Sequence, residues 1–307
     1  MTKTGALLIG HARLENLEKQ IEKLSKFANL EIFVWIDKGI TPELITLQFE
    51  FIKNLNSKIP SPANIHLTES NLGLAESIPA AISWMFESVE QGMILEDDLE
   101  FGDSFIEFTL YGLREFHTNS KIWMVAGSNP LNLDSLPNLQ VAITTYPVIW
   151  GWGTWKSRWQ EIENYALNSL VAPKNHTSYF RVRRYWKNGW YKTRLGVLNS
   201  WANIVAGYQH DLGKITVMPP VNLIKNNGND GIGVHDNSNL YVAQEIQHIV
   251  IADITWEIPS SDKVAITDLK FEQEVFFVQS ASILNSYLCY VRFKLKSIQK
   301  LFRLGEK

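Results

Sequence analysis

Apolar positions in the first third of the chain alternate between two spacings. Residues 6–9 form a short continuous apolar run, and Leu14, Leu17, Ile21 and Leu24 then recur three and four apart. The first pattern predicts a buried strand and the second the inner stripe of a helix. Residues 31–36 (EIFVWI) are β-branched and aromatic, which suits a strand. A helix over 42–55 follows, with Pro42 in the first turn, where its missing N–H costs nothing. Residues 65–68 predict another strand, and Leu74, Ile78, Ala81, Ile82, Met85 and Phe86 mark one face of a helix. Residues 92–95 (GMIL) read as a buried strand, Asp103 as the cap of a helix to about Phe116, and 122–126 as one more strand.

Strands separated by helices of this length predict an α/β fold, a mostly parallel sheet with helices on both faces. Past Pro130 the pattern loosens, with tryptophans crowded between 150 and 159, mixed aromatic and basic residues over 173–199, and a Gly/Asn-rich loop at 226–239. The expected organisation is a regular α/β half (1–130), a more irregular half of the same domain (131–255), and a C-terminal extension (256–307). No Pro/Gly/Ser-rich linker makes the halves independent.

Charge alters this picture mainly at the C-terminus. The formal net charge is -3, which argues against a nucleic-acid partner. Residues 280–307 nevertheless hold six basic side chains and one acid. Leu284, Leu288, Val291, Leu295, Ile298 and Phe302 form a helical stripe flanked by Arg292, Lys296, Lys300 and Arg303. A stretch like this either rests on an anionic membrane surface through 284–304 or docks on the body or a second copy. The lone Cys289 cannot form an intramolecular disulfide, and no apolar run of about 18 residues is present to span a bilayer. A cytoplasmic protein, acting at the inner face of the plasma membrane if the tail binds there, is the expectation.

The segment richest in chemistry is Glu96-Asp97-Asp98, directly after the 92–95 strand. Ligands of parallel α/β sheets bind beyond the carboxyl ends of strands. Three adjacent carboxylates repel one another, and a cation or protonation relieves the crowding. Mg2+ and Mn2+ favour such oxygens and commonly bridge a carboxylate to substrate phosphates. The plainer alternative, that these acids only favour the next helix's N-terminus, is met better by Asp103 and Glu107.

ILEDDLEFGDSFIEF resembles the acidic segment of N-acetylglucosaminyltransferase I and related metal-dependent glycosyltransferases, and NLGLAESIPAAISWMFE resembles the helix entry before it. The resemblance implies a GT-A-like nucleotide-sugar transferase fold. It also implies Asp98 as ligand to Mn2+ or Mg2+, with Glu96 and Asp97 facing ribose and diphosphate. Arg13 and Asp37 match positions that recognise the nucleotide in such enzymes. GWGTWKSRW and the stretch from Asn199 to His235 are similar to blocks in bacterial transferases that build surface polysaccharides. One departure stands out: Trp201 is followed by Ala202 and Asn203, where the family places acids that include the catalytic base.

Two further groups of residues extend the candidate site. Glycines between tryptophans can display flat apolar faces, on which sugar rings stack. Trp150, Gly151 and Trp152 are read as such a wall, and Trp155 and Trp159 as core. His235 is a candidate ligand to the metal or the diphosphate, and Asp230 a candidate replacement base, both in a glycine-rich loop able to act as a lid. The expected activity is transfer of a sugar from a nucleoside-diphosphate donor to a saccharide or lipid-linked saccharide acceptor. The competing readings are a sugar nucleotidyltransferase and a non-catalytic saccharide-binding protein.

Overall fold

A computed structural model describes residues 3–58, 63–129, 139–168, 180–228, 245–258, 267–268 and 291. Asp230, His235 and all of the basic tail except Val291 lie outside the described residues.

An eight-stranded sheet runs in the order β3-β2-β1-β4-β8-β6-β9-β7. Its strands are β1 (Thr4–Gly10), β2 (Leu30–Ile36), β3 (Asn64–Leu67), β4 (Gln91–Glu96), β6 (Ile122–Ala126), β7 (Ala142–Thr144), β8 (Trp152–Trp155) and β9 (Ile215–Met218). All are parallel except β8, antiparallel to both β4 and β6, and β7, antiparallel to β9. A separate ribbon pairs β5 (Leu99–Phe101) with β10 (Ile224–Asn226).

The central strands are buried on both faces, which is why their sequences are nearly all apolar. Ala6, Leu8, Val34, Met93 and Leu95 pack on one side, with Leu17, Ile21 and Leu24 of α1 (Leu14–Leu24), Leu55 of α2 (Pro42–Lys58) and Phe105 and Phe108 of α4 (Asp103–Glu115). Leu7, Ile9, Phe33, Trp35 and Ile94 point to the other side. There they meet Ile78, Ile82 and Met85 of α3 (Leu74–Ser88), Trp159 and Ile162 of α5 (Lys156–Asn168) and Tyr208 of α7 (Ala202–Asp211). The mostly parallel α/β sheet with helices on both faces is therefore the fold.

Past residue 130 the chain is more regular than its pattern suggests. It supplies β7 to β10, α5, α7 and the intervening α6 (Phe180–Arg194), and β8 enters the sheet between β4 and β6. Asp103 is not a cap. Gly102, in extended conformation, precedes the helix with no side-chain capping bond, and Asp103 is the first-turn acid, where the helix dipole still favours it.

Candidate functional site

The parallel strands β1, β2, β4 and β6 end on one edge of the sheet, and the segments leaving them are His11–Arg13, Asp37, Asp97–Asp98 and Gly127–Asn129. Since β8 runs antiparallel, Trp150 and Gly151 lead into it on that same edge.

The turn after β4 is fixed by α1 rather than by its own residues. Asn16 donates from Nδ2 to the carbonyls of Asp97 and Leu99 at 2.5 and 3.2 Å. Gln20 donates from Nε2 to those of Glu96 and Leu99 at 3.0 and 2.6 Å. Asp97 closes the arrangement. Its Oδ2 accepts the backbone N–H of His11 at 2.9 Å and of Arg13 at 3.3 Å, and its Oδ1 lies 3.7 Å from Arg13 Nη1. Arg13 and Asp97, expected to face the nucleotide, are here each other's partners, at the N-terminus of α1.

Asp37 is buried and occupied in the same way. Oδ1 accepts the N–H of Leu72 at 2.8 Å and the Thr68 hydroxyl at 3.2 Å, while Oδ2 accepts the N–H of Gly73 at 2.9 Å and Asn71 Nδ2 at 3.4 Å. Its carboxylate organises the entry to α3, where Asn199 Oδ1 also accepts the N–H of Ala75 at 2.7 Å. Four protein donors thus meet the two oxygens of Asp37, the residue expected to contact the nucleotide. Gln48 ties the neighbouring strand ends together, donating to the carbonyls of His11 and Asp37 at 2.8 and 2.9 Å.

Asp98 differs from both. Its Oδ1 is buried and, among the described residues, has no hydrogen-bond partner. Its carboxyl is pushed up to about 6, first by burial and then by the Asp97 charge, against the opposing pull of Arg13, a backbone bond and the Asn226 side chain. Glu96 is also raised well above the ordinary glutamate value, by burial first and then by Asp98 and Asp97. Among the described residues, Arg13 is the cation set against the three carboxylates of this turn. A hard divalent cation suits an orphaned carboxylate oxygen in such a field. Among the described residues no group of three or more His, Cys, Asp or Glu could enclose a metal. A cation here would take Asp98 from the described residues and leave coordination positions open to phosphate, water or a further side chain.

Of the expected sugar wall, Trp152 lies in the interior. It is 1% exposed, stacked on Trp201 at 5.8 Å between centroids and tilted on Trp123 at 5.5 Å, so its indole is core. The cause is strand alternation: β8 turns Trp152 into the α3/α5/α7 layer. Trp155 and Trp159 are buried too. Trp150 is half-buried, packed by one side against the opposite layer. Gly151 has φ +57°, and a Cβ there would sit 2.3 Å from Ile224 Cδ1, so this turn requires glycine. α7 opens with no acid in its first turn, and Asn203 is buried.

Several residues of this edge escape a sequence reading. Asn16 and Gln20 are amides on the apolar stripe of α1, and that misplacement is the available signal. Gln48 and the buried Ser128 carry no signal of their own, and the Gly/Asn-rich composition that marks Asn226 and Gly228 as loop does not place them beside Asp98.

In sequence the chain matches no protein-family model and no curated protein. Solved structures similar to it include a mannosyltransferase from Pyrobaculum calidifontis in complex with GDP-Man and Mn2+ (8% identity, 68% of this chain and 70% of that one, TM-score 0.38). Another is GalNAc-T7 with UDP, GalNAc and Mn2+ (10% identity, 71% of this chain and 43% of that one, TM-score 0.44). A third is a 4-diphosphocytidyl-2C-methyl-D-erythritol synthase from Anaerococcus prevotii (14% identity, 56% and 80%, TM-score 0.38). Likeness at this level says nothing of activity, which has to come from the chain's own residues.

Proposed function

We propose that the chain is a metal-dependent glycosyltransferase, moving a sugar from a nucleoside-diphosphate donor to a saccharide or lipid-linked saccharide acceptor, as in bacterial surface-polysaccharide synthesis. The observation that carries this is Asp98 Oδ1, buried and unpartnered at the carboxyl edge of a parallel sheet, in a turn with more acid than base. Asp98 holds the cation. Mn2+ or Mg2+ bound there would supply Lewis-acid stabilisation of the departing diphosphate. Asp97 keeps the β1 and β4 turns together around the donor, and Arg13, drawn to Asp97, lends positive charge beside the phosphates. Glu96 is proposed to face the ribose and diphosphate side of the donor. Trp150 offers the sugar one apolar face. Asp230 is the proposed base and His235 a proposed contact to metal or diphosphate. The tail at 284–304 is proposed as a peripheral membrane contact on the cytoplasmic side.

A second reading draws on α7. With Ala202 and Asn203 after Trp201 and no acid in that first turn, the chain would bind saccharide without transferring it. Incubation with UDP-, GDP- and dTDP-sugars, following nucleotide release with Mn2+ and with EDTA, separates the readings. Mn2+-dependent release of nucleoside diphosphate supports transfer. Binding with no release from any donor in the presence of any plausible acceptor supports the second reading, and pyrophosphate-dependent release of nucleoside triphosphate supports a nucleotidyltransferase.

A further inference from the structure

A segment more than a hundred residues downstream of Asp98 is built around its side chain. Pairing of β10 with β5 sets Asn226 opposite Leu99, so the following residues run back over the acidic turn. The N–H of Asn227 donates to the Asp98 carbonyl at 2.9 Å. Asn226 Oδ1 accepts the N–H of Gly228 at 2.7 Å, which fixes Gly228 beside the Asp98 carboxylate. At Gly228 a Cβ would stand 2.6 Å from Asp98 Oδ2 and 2.9 Å from Asn226 Oδ1, closer than such atoms approach. Gly228 is not among the glycines with positive φ. Space beside the carboxylate, not backbone conformation, is therefore what calls for glycine. One Asp98 oxygen lies against this segment, and the other is left buried and unpartnered.

We propose that residues 226–228 form a positioning latch for Asp98, holding its carboxylate in the orientation that offers Oδ1 to the cation. The inference rests on the reading of Asp98 as the metal ligand. Repulsion from Asp97 and attraction to Arg13 both act on Asp98, and each would draw a loosened carboxylate elsewhere. Asn226, bonded to the Gly228 N–H, and Asn227, bonded to the Asp98 carbonyl, hold the segment against the carboxylate, and Gly228 leaves room for its rotamer. Neither is assigned a bond to the ion; both act through Asp98. Outer partners of this kind typically change metal affinity by roughly tenfold to a hundredfold.

The test is calorimetric titration of the full chain with Mn2+ alone, and then with UDP or GDP at saturating Mn2+, for wild type, Gly228→Ala and Asn226→Ala. Each variant is also unfolded thermally in EDTA. The latch predicts Mn2+ affinity roughly tenfold weaker or worse in both variants, with little change in the unfolding midpoint in EDTA. A structural role alone would lower that midpoint and leave Mn2+ affinity intact. Should Gly228→Ala fail to fold, Asn226→Ala carries the test, since it only deletes atoms. Wild-type binding matched by every folded variant overturns the latch and leaves Asp98 as ligand. No Mn2+ binding by wild type, with or without nucleotide, overturns the metal reading and the latch with it.

Discussion

Asp97 accepts the backbone N–H of His11 at 2.9 Å, joining turns 86 residues apart in sequence. The same oxygen takes the N–H of Arg13, so one carboxylate completes the start of α1 and fixes the turn that carries Asp98. Asp97→Ala leaves two backbone donors short of a partner, and we expect a loss of about 1–3 kcal/mol in urea unfolding. Asp97→Asn keeps an acceptor oxygen but loses the pairing with Arg13, and should lose less. Equal stability of wild type and Asp97→Ala would refute this anchoring role.

Asp37 makes a parallel case with more donors. Four groups from residues 68–73 converge on its two oxygens. Asp37→Ala should destabilise the fold by about 2–4 kcal/mol, as expected when a buried charged hydrogen-bond acceptor is removed. Nucleotide affinity of whatever protein remains folded should barely change. A variant of wild-type stability that has lost nucleotide binding would restore Asp37 as a ligand.

The raised carboxyls of Asp98 and Glu96 make a prediction for stability against pH. A carboxyl whose pKa is higher folded than unfolded holds its proton more tightly in the native state, so its ionisation opposes folding. For Asp98 the stability is present at low pH and is lost as pH rises from about 3.9, the unfolded value, through about 6. Compared with Asp98→Asn, metal-free wild type should lose about 1–3 kcal/mol between pH 4 and pH 7. Mn2+ competes with the proton, so its stabilising effect should grow over the same interval. Parallel pH profiles for the two proteins would argue against the shift.

Packing around Ile224 joins the β6 end to the β8 entry. A Cβ on Gly127 would lie 2.3 Å from the Phe105 ring, and one on Gly151 equally close to Ile224. Gly127→Ala should therefore cost about 1–3 kcal/mol through overpacking. Trp152→Ala should cost about 3–5 kcal/mol as a core truncation, without a separate loss of sugar affinity in the folded fraction. A stable Trp152→Ala protein with weakened sugar binding would return that indole to the site.

What the sequence discloses here follows from how local each cause is. β1, β2, β4 and β6 announce themselves because both faces are buried and their apolar runs are continuous. The alternation of these runs with helices is enough to put the residues at their carboxyl ends, Asp97 and Asp98 among them, on one edge of the sheet. β8 and β10 are three or four residues long, and their partners lie far away in the chain, so no local period marks them. Trp152 escapes a local reading for that reason: only the β4–β8–β6 pairing decides which way its indole turns. Asp37 and Asp98 are both acids after strands, and the sequence cannot separate them. The difference is that the backbone of residues 72–73 reaches one of them, while one oxygen of the other is left without a partner.

The central claim is that Asp98 Oδ1 faces a cation that is shared with a diphosphate. Anomalous diffraction from crystals grown with Mn2+ and UDP or GDP tests it most directly. We expect a manganese peak about 2.0–2.3 Å from Asp98 Oδ1, with phosphate oxygens among its other ligands. A nucleotide bound on this edge with no metal at Asp98, or manganese bound elsewhere while Oδ1 stays buried against protein, would contradict the account.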